Sequence, residues 1–431
     1  MRFPGRLAAA IDVLTDVETR HRPVSEALKA WGINNRFAGA GDRAAIGNLV
    51  YDALRKRASH AAAMGSDSPR ALVLAVAMRD WGETPESLNE AFAGDAHAPQ
   101  ALNADEAAGA DADLSGAAAA DRADFPQWLA PSLQRAFGDD WIAEGQAMAG
   151  RPSLDLRANA LKASPEKVIK SLARFSPQPT TIAPFGITMP AGPRDARTPN
   201  VTTDEGYQKG WFEVQDQGSQ IVAALAGAQQ GEQVLDLCAG AGGKTLALAA
   251  LMGNKGQIFA YDADRARLAP IYERLKRNAV RNAQVRAPQD GALDDLIGKM
   301  DRVVVDAPCT GTGTWRRRPD TKWKLTPELL AQRQSEQAAL LIEAARYLKS
   351  GGVLVYITCS ILPEENDDQV AAFLAANADF STMDMAVAWR QALITEIPDG
   401  LVTPRGGVCL TPRRTNTDGF YCHLLRKAWA K

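Results

Sequence analysis

The chain has 431 residues, 49 Lys and Arg against 51 Asp and Glu, a net charge of −2 and 46% apolar residues. That is too long for one core, so two or three domains are expected; no apolar run reaches the ~18 residues of a membrane span, and Met1–Arg6 does not open a signal peptide. The five cysteines (238, 309, 359, 409 and 422) form no CxxC pair, which argues against a disulfide framework or a metal site and for a reducing cytoplasm.

Residues 6–92 read as helices. Leu7, Ile11, Leu14 and Val17 recur at helical spacing. Pro23 and Gly32 bracket a second helix. The segment Asp42 to Arg57 carries an apolar stripe of Ile46, Leu49, Val50 and Leu54 and ends in Arg55-Lys56-Arg57. Cations there suit the negative end of a helix, and they equally suit an RNA backbone. Arg70 to Trp81 is another apolar helix. Over 93–125 large apolar residues thin out and Gly94, Pro99, Gly109 and Gly116 intervene, so a flexible, solvent-exposed linker is expected, with room for one Ala-rich helix. Pro126 to Phe137 resumes an amphipathic helix. Leu154–Asn159 alternates as a strand does, and Ser164-Pro165-Glu166 opens a helix through Leu172. With the short strands and loops of 176–210, residues 126–214 form a linker helix and a small α+β module.

From Gln215 strands and helices alternate. Strands are expected at Val234–Leu237, Gln257–Asp262, Val303–Asp306 and Val353–Thr358, with a last one at 419–425. Helices are expected at Lys244–Met252, Asp264–Ala279 and Pro327–Leu348. This is the pattern of an α/β domain with a doubly wound parallel sheet.

The turn after the first of these strands reads Asp236-Leu237-Cys238-Ala239-Gly240-Ala241-Gly242-Gly243-Lys244-Thr245. Its small residues let a ligand approach the backbone, and a helix N-terminus supplies free N–H groups. The next strand ends in Asp262, where a carboxylate can take ribose hydroxyls. Together they favour an adenosyl ligand over two ordinary strand–helix turns. Two further strands run into Asp306-Ala307-Pro308-Cys309 and Thr358-Cys359-Ser360. A lone cysteine at a strand end is usually a small core residue. Two thiols at one sheet edge, beside an aspartate and an adenosyl site, match one reaction. A thiolate that adds to C6 of cytosine makes C5 nucleophilic enough to attack an electrophilic methyl. A thiolate near neutral pH needs positive charge close by. Arg316, Arg317, Arg318, Lys322 and Lys324 follow, interleaved with Trp315 and Trp323. That composition suits RNA phosphates and unpaired bases, or a solvated charged loop. Residues 1–150 carry 14 basic and 21 acidic residues and the remainder 35 and 30, so a polyanion should meet the C-terminal part.

Across residues 126–431, and more loosely over 6–92, the chain resembles the Nop/Sun family of RNA (cytosine-5)-methyltransferases, and within it the bacterial RsmB-type small-subunit rRNA enzymes. The resemblance rests on Phe212 to Gln220, the 236–245 loop, Asp306 to Thr314, Thr358-Cys359-Ser360 with Pro363-Glu364-Glu365-Asn366, and Thr417 to Phe420, in this order. It implies a Rossmann-like S-adenosylmethionine-dependent methyltransferase domain over 215–431. A small α+β RNA-binding module and an all-α NusB-like N-terminal domain (1–92) would precede it. It further implies that Cys238, Ala239, Gly240, Ala241, Gly242, Gly243 and Lys244 hold the methionine end of S-adenosylmethionine. Asp262 would hold the ribose, Asp290 would lie near the adenine, and Asp306 would stand between cofactor and base. Cys359 would attack C6 and Cys309 assist release; spacing alone does not say which thiol attacks. The loop departs from the family's Cys-Ala-Ala-Pro-Gly-Gly-Lys in having Gly240-Ala241. Cys409 and Cys422 read as core. The expected partner is rRNA, with tRNA as an alternative, for a cytoplasmic monomer without metal or membrane contact. A non-catalytic RNA-binding ribosome assembly factor is the rival of another class.

Overall fold

The computed structural model describes residues 1–430. The chain divides into two compact units. One comprises Met1–Pro152 with Ala191–Thr198 and Trp315–Lys324, and the other the remaining segments.

The first unit is helical. Leu7, Val13, Leu14 and Val17 of the helix Phe3–Arg20 are buried with Ile46, Leu49 and Val50 of Ala40–Arg55 and with Leu72–Val76. Ser68 caps the helix Pro69–Ala75, its Oγ accepting from Ala71 N with Pro69 in the first turn. The helix expected from Arg70 to Trp81 changes to a π-turn at Val76–Asp80. The stretch expected to be a flexible linker carries helices at Ala104–Ala108 and Ala119–Arg122 and closes onto this unit. Arg70 Nε donates to Glu106 Oε1 at 2.7 Å, and Asp124 accepts from the Ser59 amide at 2.9 Å. The small residues that suggested a linker are there for close packing. A Cβ on Gly109 would lie 2.5 Å from Met64 Sδ, and Ala120 and Ala123 are buried. The helix Ala130–Phe137, expected as the linker helix ahead of the α+β module, belongs to this unit as well.

The second unit holds two sheets. The smaller has the strands β1 (Leu154–Ala158), β2 (Gln178–Pro179), β3 (Gly186–Met189) and β4 (Phe212–Val214), all antiparallel in the order β2-β3-β1-β4. The helix Pro165–Ser171, capped by Ser164 as its sequence requires, buries Val168 with Leu156, Ile187 and Phe212. The larger sheet follows with β5 (Gln233–Asp236), β6 (Gln257–Tyr261), β7 (Ala283–Arg286), β8 (Met300–Asp306), β9 (Leu348–Thr358), β10 (Phe380–Thr382), β11 (Val408–Leu410) and β12 (Phe420–Lys427). Its order is β10-β12-β9-β8-β5-β6-β7, with β11 on β12. Strands β5 to β9 are parallel and β12 is antiparallel to β9. The Rossmann-like arrangement is the one expected. The long helix after β6 is split into Arg265–Leu268 and Ile271–Arg277 because Pro270 cannot continue it. Strand β7 was not foreseen; it is a half-exposed edge strand without an apolar run. The strand order reverses between β5 and β8, which opens a crevice at their C-terminal ends.

Candidate active site

The crevice is built first by the turn after β5. Gly240 and Gly242 adopt φ of +49° and +85°, a region that disfavours side chains. A Cβ on Gly242 would meet Ile271 Cγ1 at 2.5 Å. The turn is held from outside: Gly240 N donates to Asp262 Oδ2 at 2.9 Å, and Arg274 Nη1 to Ala241 O at 2.7 Å. Arg274 is in turn fixed by Glu213 of β4 at 2.9 Å. The result is a turn with backbone bare of side chains at Gly240, Gly242 and Gly243, leading into the N-terminus of the helix Gly243–Leu251.

Lys244, on the first turn of that helix, is buried. Its Nζ donates to Asp306 Oδ2 at 2.9 Å and to Ser219 Oγ at 3.0 Å. Asp306, at the tip of β8, keeps 31% of its side chain exposed, so the pair presents a carboxylate to the crevice. Asp236 is fully buried, and burial pushes its carboxyl up to about 7, against a 2.6 Å hydrogen bond from Thr245 Oγ1. Burial and the neighbouring carboxylates push the Cys238 thiol well above its usual range. Asp290 is exposed in the loop beyond β7.

The two thiols that the sequence placed at separate strand tips stand together: Cys309 Sγ and Cys359 Sγ are 3.3 Å apart. All five cysteines are free thiols. The hydrogen bond to Cys359, then burial, then nearby negative charge push the Cys309 thiol upward. The loops that carry them are braced to each other. Gly313 N donates to Cys359 O at 2.9 Å, Ile361 N to Thr312 Oγ1 at 2.9 Å, and Thr358 Oγ1 to Asn366 Oδ1 at 2.6 Å. Glu365, fully buried, accepts from the Thr310 amide at 2.8 Å and from Gln337 Nε2 at 3.0 Å. Glu365, Gln337 and Ser219 were given no role from sequence. The one available signal was the acidic turn Pro363-Glu364-Glu365-Asn366, in which nothing distinguishes a buried carboxylate from a solvated one.

The basic loop behaves differently. Residues Trp315–Lys324 belong to the helical unit, where Trp315 is buried against Phe125 at 5.3 Å between ring centroids. Arg316 and Lys322 are each only 3% exposed. Lys322 Nζ donates to Arg55 O at 2.7 Å and lies 4.8 Å over the Trp323 ring, and burial lowers its ammonium to about 8. The five cations grouped in sequence as an RNA surface are therefore split. Arg318 and Lys324 are exposed, Arg317 is half-buried, and Arg316 and Lys322 are interior. A lysine whose apolar stem packs on aromatic rings and whose head finds the carbonyls at a helix end is stable inside. Arg55 is likewise interior, paired with Asp52 at 2.8 Å. Cys409 and Cys422 are buried on β11 and β12, as the core reading expects.

The model of the family "16S rRNA methyltransferase RsmB/F" matches residues 223–426, and that of the RsmF/B-like ferredoxin-like domain matches 125–192. A probable ribosomal RNA small subunit methyltransferase B of Synechocystis sp. is 35% identical over 312 residues, which are 70% of this chain and 67% of that one. The ribosomal RNA small subunit methyltransferase B of Proteus mirabilis is 37% identical over 259 residues, 59% of each chain. Alignment with these relatives thus spans about three-fifths to two-thirds of their own length. Among solved structures, a methyltransferase homolog protein from Pyrococcus horikoshii superimposes with a TM-score of 0.59 at 27% identity, covering 72% of this chain and 97% of its own. The crystal structure of PH0851 covers 99% of this chain and all of its own with a TM-score of 0.73, at 24% identity, a likeness of fold.

Proposed function

The chain belongs to the RsmB/F family of 16S rRNA methyltransferases, and from that membership and the crevice geometry we propose that it makes 5-methylcytidine in 16S rRNA from S-adenosylmethionine. The observation that carries the reading is the pair of free thiols 3.3 Å apart, beside the Lys244–Asp306 pair at one sheet edge.

S-adenosylmethionine supplies an electrophilic methyl group. The turn fits it, since the left-handed Gly240 and Gly242 leave the backbone there without side chains and the carboxylate of Asp262 follows the next strand. Residues 238–244 would hold its amino-acid end, Asp262 the ribose, and Asp290 would lie on the adenine side. Asp306, oriented by Lys244, faces the target base. Cys359 would add as thiolate through Sγ to C6 and move the C5–C6 π pair to C5, and C5 would take the sulfonium methyl group, with S-adenosylhomocysteine leaving. Loss of the C5 proton then restores the double bond and expels the Cys359 thiolate. Cys309, whose upward-shifted thiol stays protonated, hydrogen-bonds the departing sulfur. C6 is attacked from the face of the ring, so the cytidine is unpaired or flipped. The exposed Arg318 and Lys324 contact phosphates, which makes RNA binding salt-sensitive.

The test incubates wild type, Cys309→Ser and Cys359→Ser with labelled S-adenosylmethionine and 16S rRNA, naked and in 30S particles, and resolves products on denaturing gels. Cys309→Ser accumulates a protein–RNA adduct, and Cys359→Ser gives neither adduct nor methylation. Methylation by Cys359→Ser but not Cys309→Ser would reverse the thiols. No label on cytidine in any rRNA would sink the reading.

A further inference from the structure

Resting on that reading, we propose that Glu365 is a positioning residue for product release. It fixes the Cys309 thiol against Cys359.

The segment between Asp306 and the turn Thr312–Thr314 lies outside helix and strand, yet it must hold Cys309 within a hydrogen bond of Cys359. Its neighbours on both sides hang from one buried pair. Glu365 Oε1 accepts from Thr310 N at 2.8 Å and Oε2 from Thr310 Oγ1 at 2.5 Å. Gln337 Nε2 divides its two protons between Glu365 Oε1 and Pro308 O, each at 3.0 Å. Glu365 is 0% exposed, and a carboxylate is kept in such a place only by donors like these. Its own backbone is registered to the other thiol, because Tyr356 Oη, on β9 three residues before Cys359, donates to Glu365 O at 2.6 Å. One residue therefore links the strand that carries Cys359 to the loop that carries Cys309. Its negative charge also helps keep Cys309 a thiol, hence a donor to a departing thiolate.

The affected step is the last. The C5–H pair forms the C5–C6 double bond, the proton passes to water, and the C6–S pair returns to Cys359 as thiolate beside the Cys309 S–H. Of the two thiols, attack and methyl transfer need only Cys359, so Glu365 bears on release.

The experiment compares single-turnover methylation, steady-state kcat and trapped adduct in wild type, Glu365→Gln, Thr310→Val and Cys309→Ser, with thermal melting and S-adenosylmethionine titration of each. Glu365→Gln is expected to keep its single-turnover rate within about threefold, lose at least tenfold in kcat, and accumulate adduct as Cys309→Ser does. Thr310→Val, which removes one bond to the same carboxylate, should show a smaller effect of the same kind. Steady-state turnover by Glu365→Gln without adduct, or an equal fall in both rates without adduct, overturns the proposal. If Glu365→Gln does not fold, Thr310→Val decides by the same criteria. Adduct in Cys309→Ser with none in the other two refutes the role of Glu365 alone. Methylation by wild type without adduct in Cys309→Ser refutes the two-thiol reading with it.

Discussion

At the scale of the residue, the crevice depends on positions that tolerate one kind of side chain or none. Gly242 combines a φ of +85° with a Cβ position 2.5 Å from Ile271 Cγ1. Gly242→Ala should therefore cost about 1–3 kcal/mol from the backbone conformation alone, and more from the collision with Ile271. The expected outcome is a lower melting temperature together with loss of S-adenosylmethionine binding by titration calorimetry; unchanged affinity would mean that the turn does not form the cofactor's seat. Lys244, Asp262, Asp306, Cys309 and Cys359 were legible in sequence because each sits at a strand or helix end whose position the alternating pattern gives. Glu365 and Gln337 were not legible, since a carboxylate in an acidic turn and an amide in a helix look solvated until the fold buries them against Thr310 and Pro308.

At the scale of the element, β12 carries a buried polar chain into the sheet. His423 is 0% exposed, with Tyr421 Oη at 2.9 Å from Nδ1 and Thr382 Oγ1 at 3.1 Å from Nε2. Tyr421 gives its proton to Asp367 Oδ1 at 2.7 Å, so its oxygen accepts from Nδ1–H. Burial lowers the imidazole to about 4, against the pull of the Asp367 charge. The folded value lies below the unfolded ~6.5. The unfolded chain therefore binds the extra proton between those two values, and the contribution is fully present above about pH 6.5. It falls as pH drops toward 4, by up to ~1.4 kcal/mol per pH unit. Urea unfolding of wild type and His423→Gln from pH 4.5 to 7.5 should converge on acidification; parallel curves would assign the acid sensitivity elsewhere. The strand itself was expected from Gly419 to Leu425, whereas β7 was missed because a half-exposed edge strand needs no apolar run.

At the scale of the whole molecule, the helical unit is assembled from three distant stretches of chain. Trp315 packs on Phe125, Lys322 Nζ donates to Arg55 O and Trp323 Nε1 donates to Leu54 O, partners nearly two hundred residues away or more. A chain starting at residue 153 lacks those partners. It should be cut by trypsin after Lys322 at least tenfold faster than the full chain, as read by mass spectrometry of timed digests. Equal rates would show that the segment is held by other means. The expected 93–125 linker and five-cation RNA surface both changed for the same reason, since small residues and long cations read as solvated until partners far away in sequence enclose them.

Read alone, the residues carry most of the elements, though not β7 or the packing of 93–125, together with the Rossmann-like domain, the family and the positions of the thiols, because strand periodicity and short motifs are local. Folding adds that the two thiols are 3.3 Å apart, that Glu365 and Gln337 brace the loop of Cys309, and that Arg316 and Lys322 belong to an interior. Those are facts of burial and of contact between residues far apart in the chain, and neither leaves a periodicity to read.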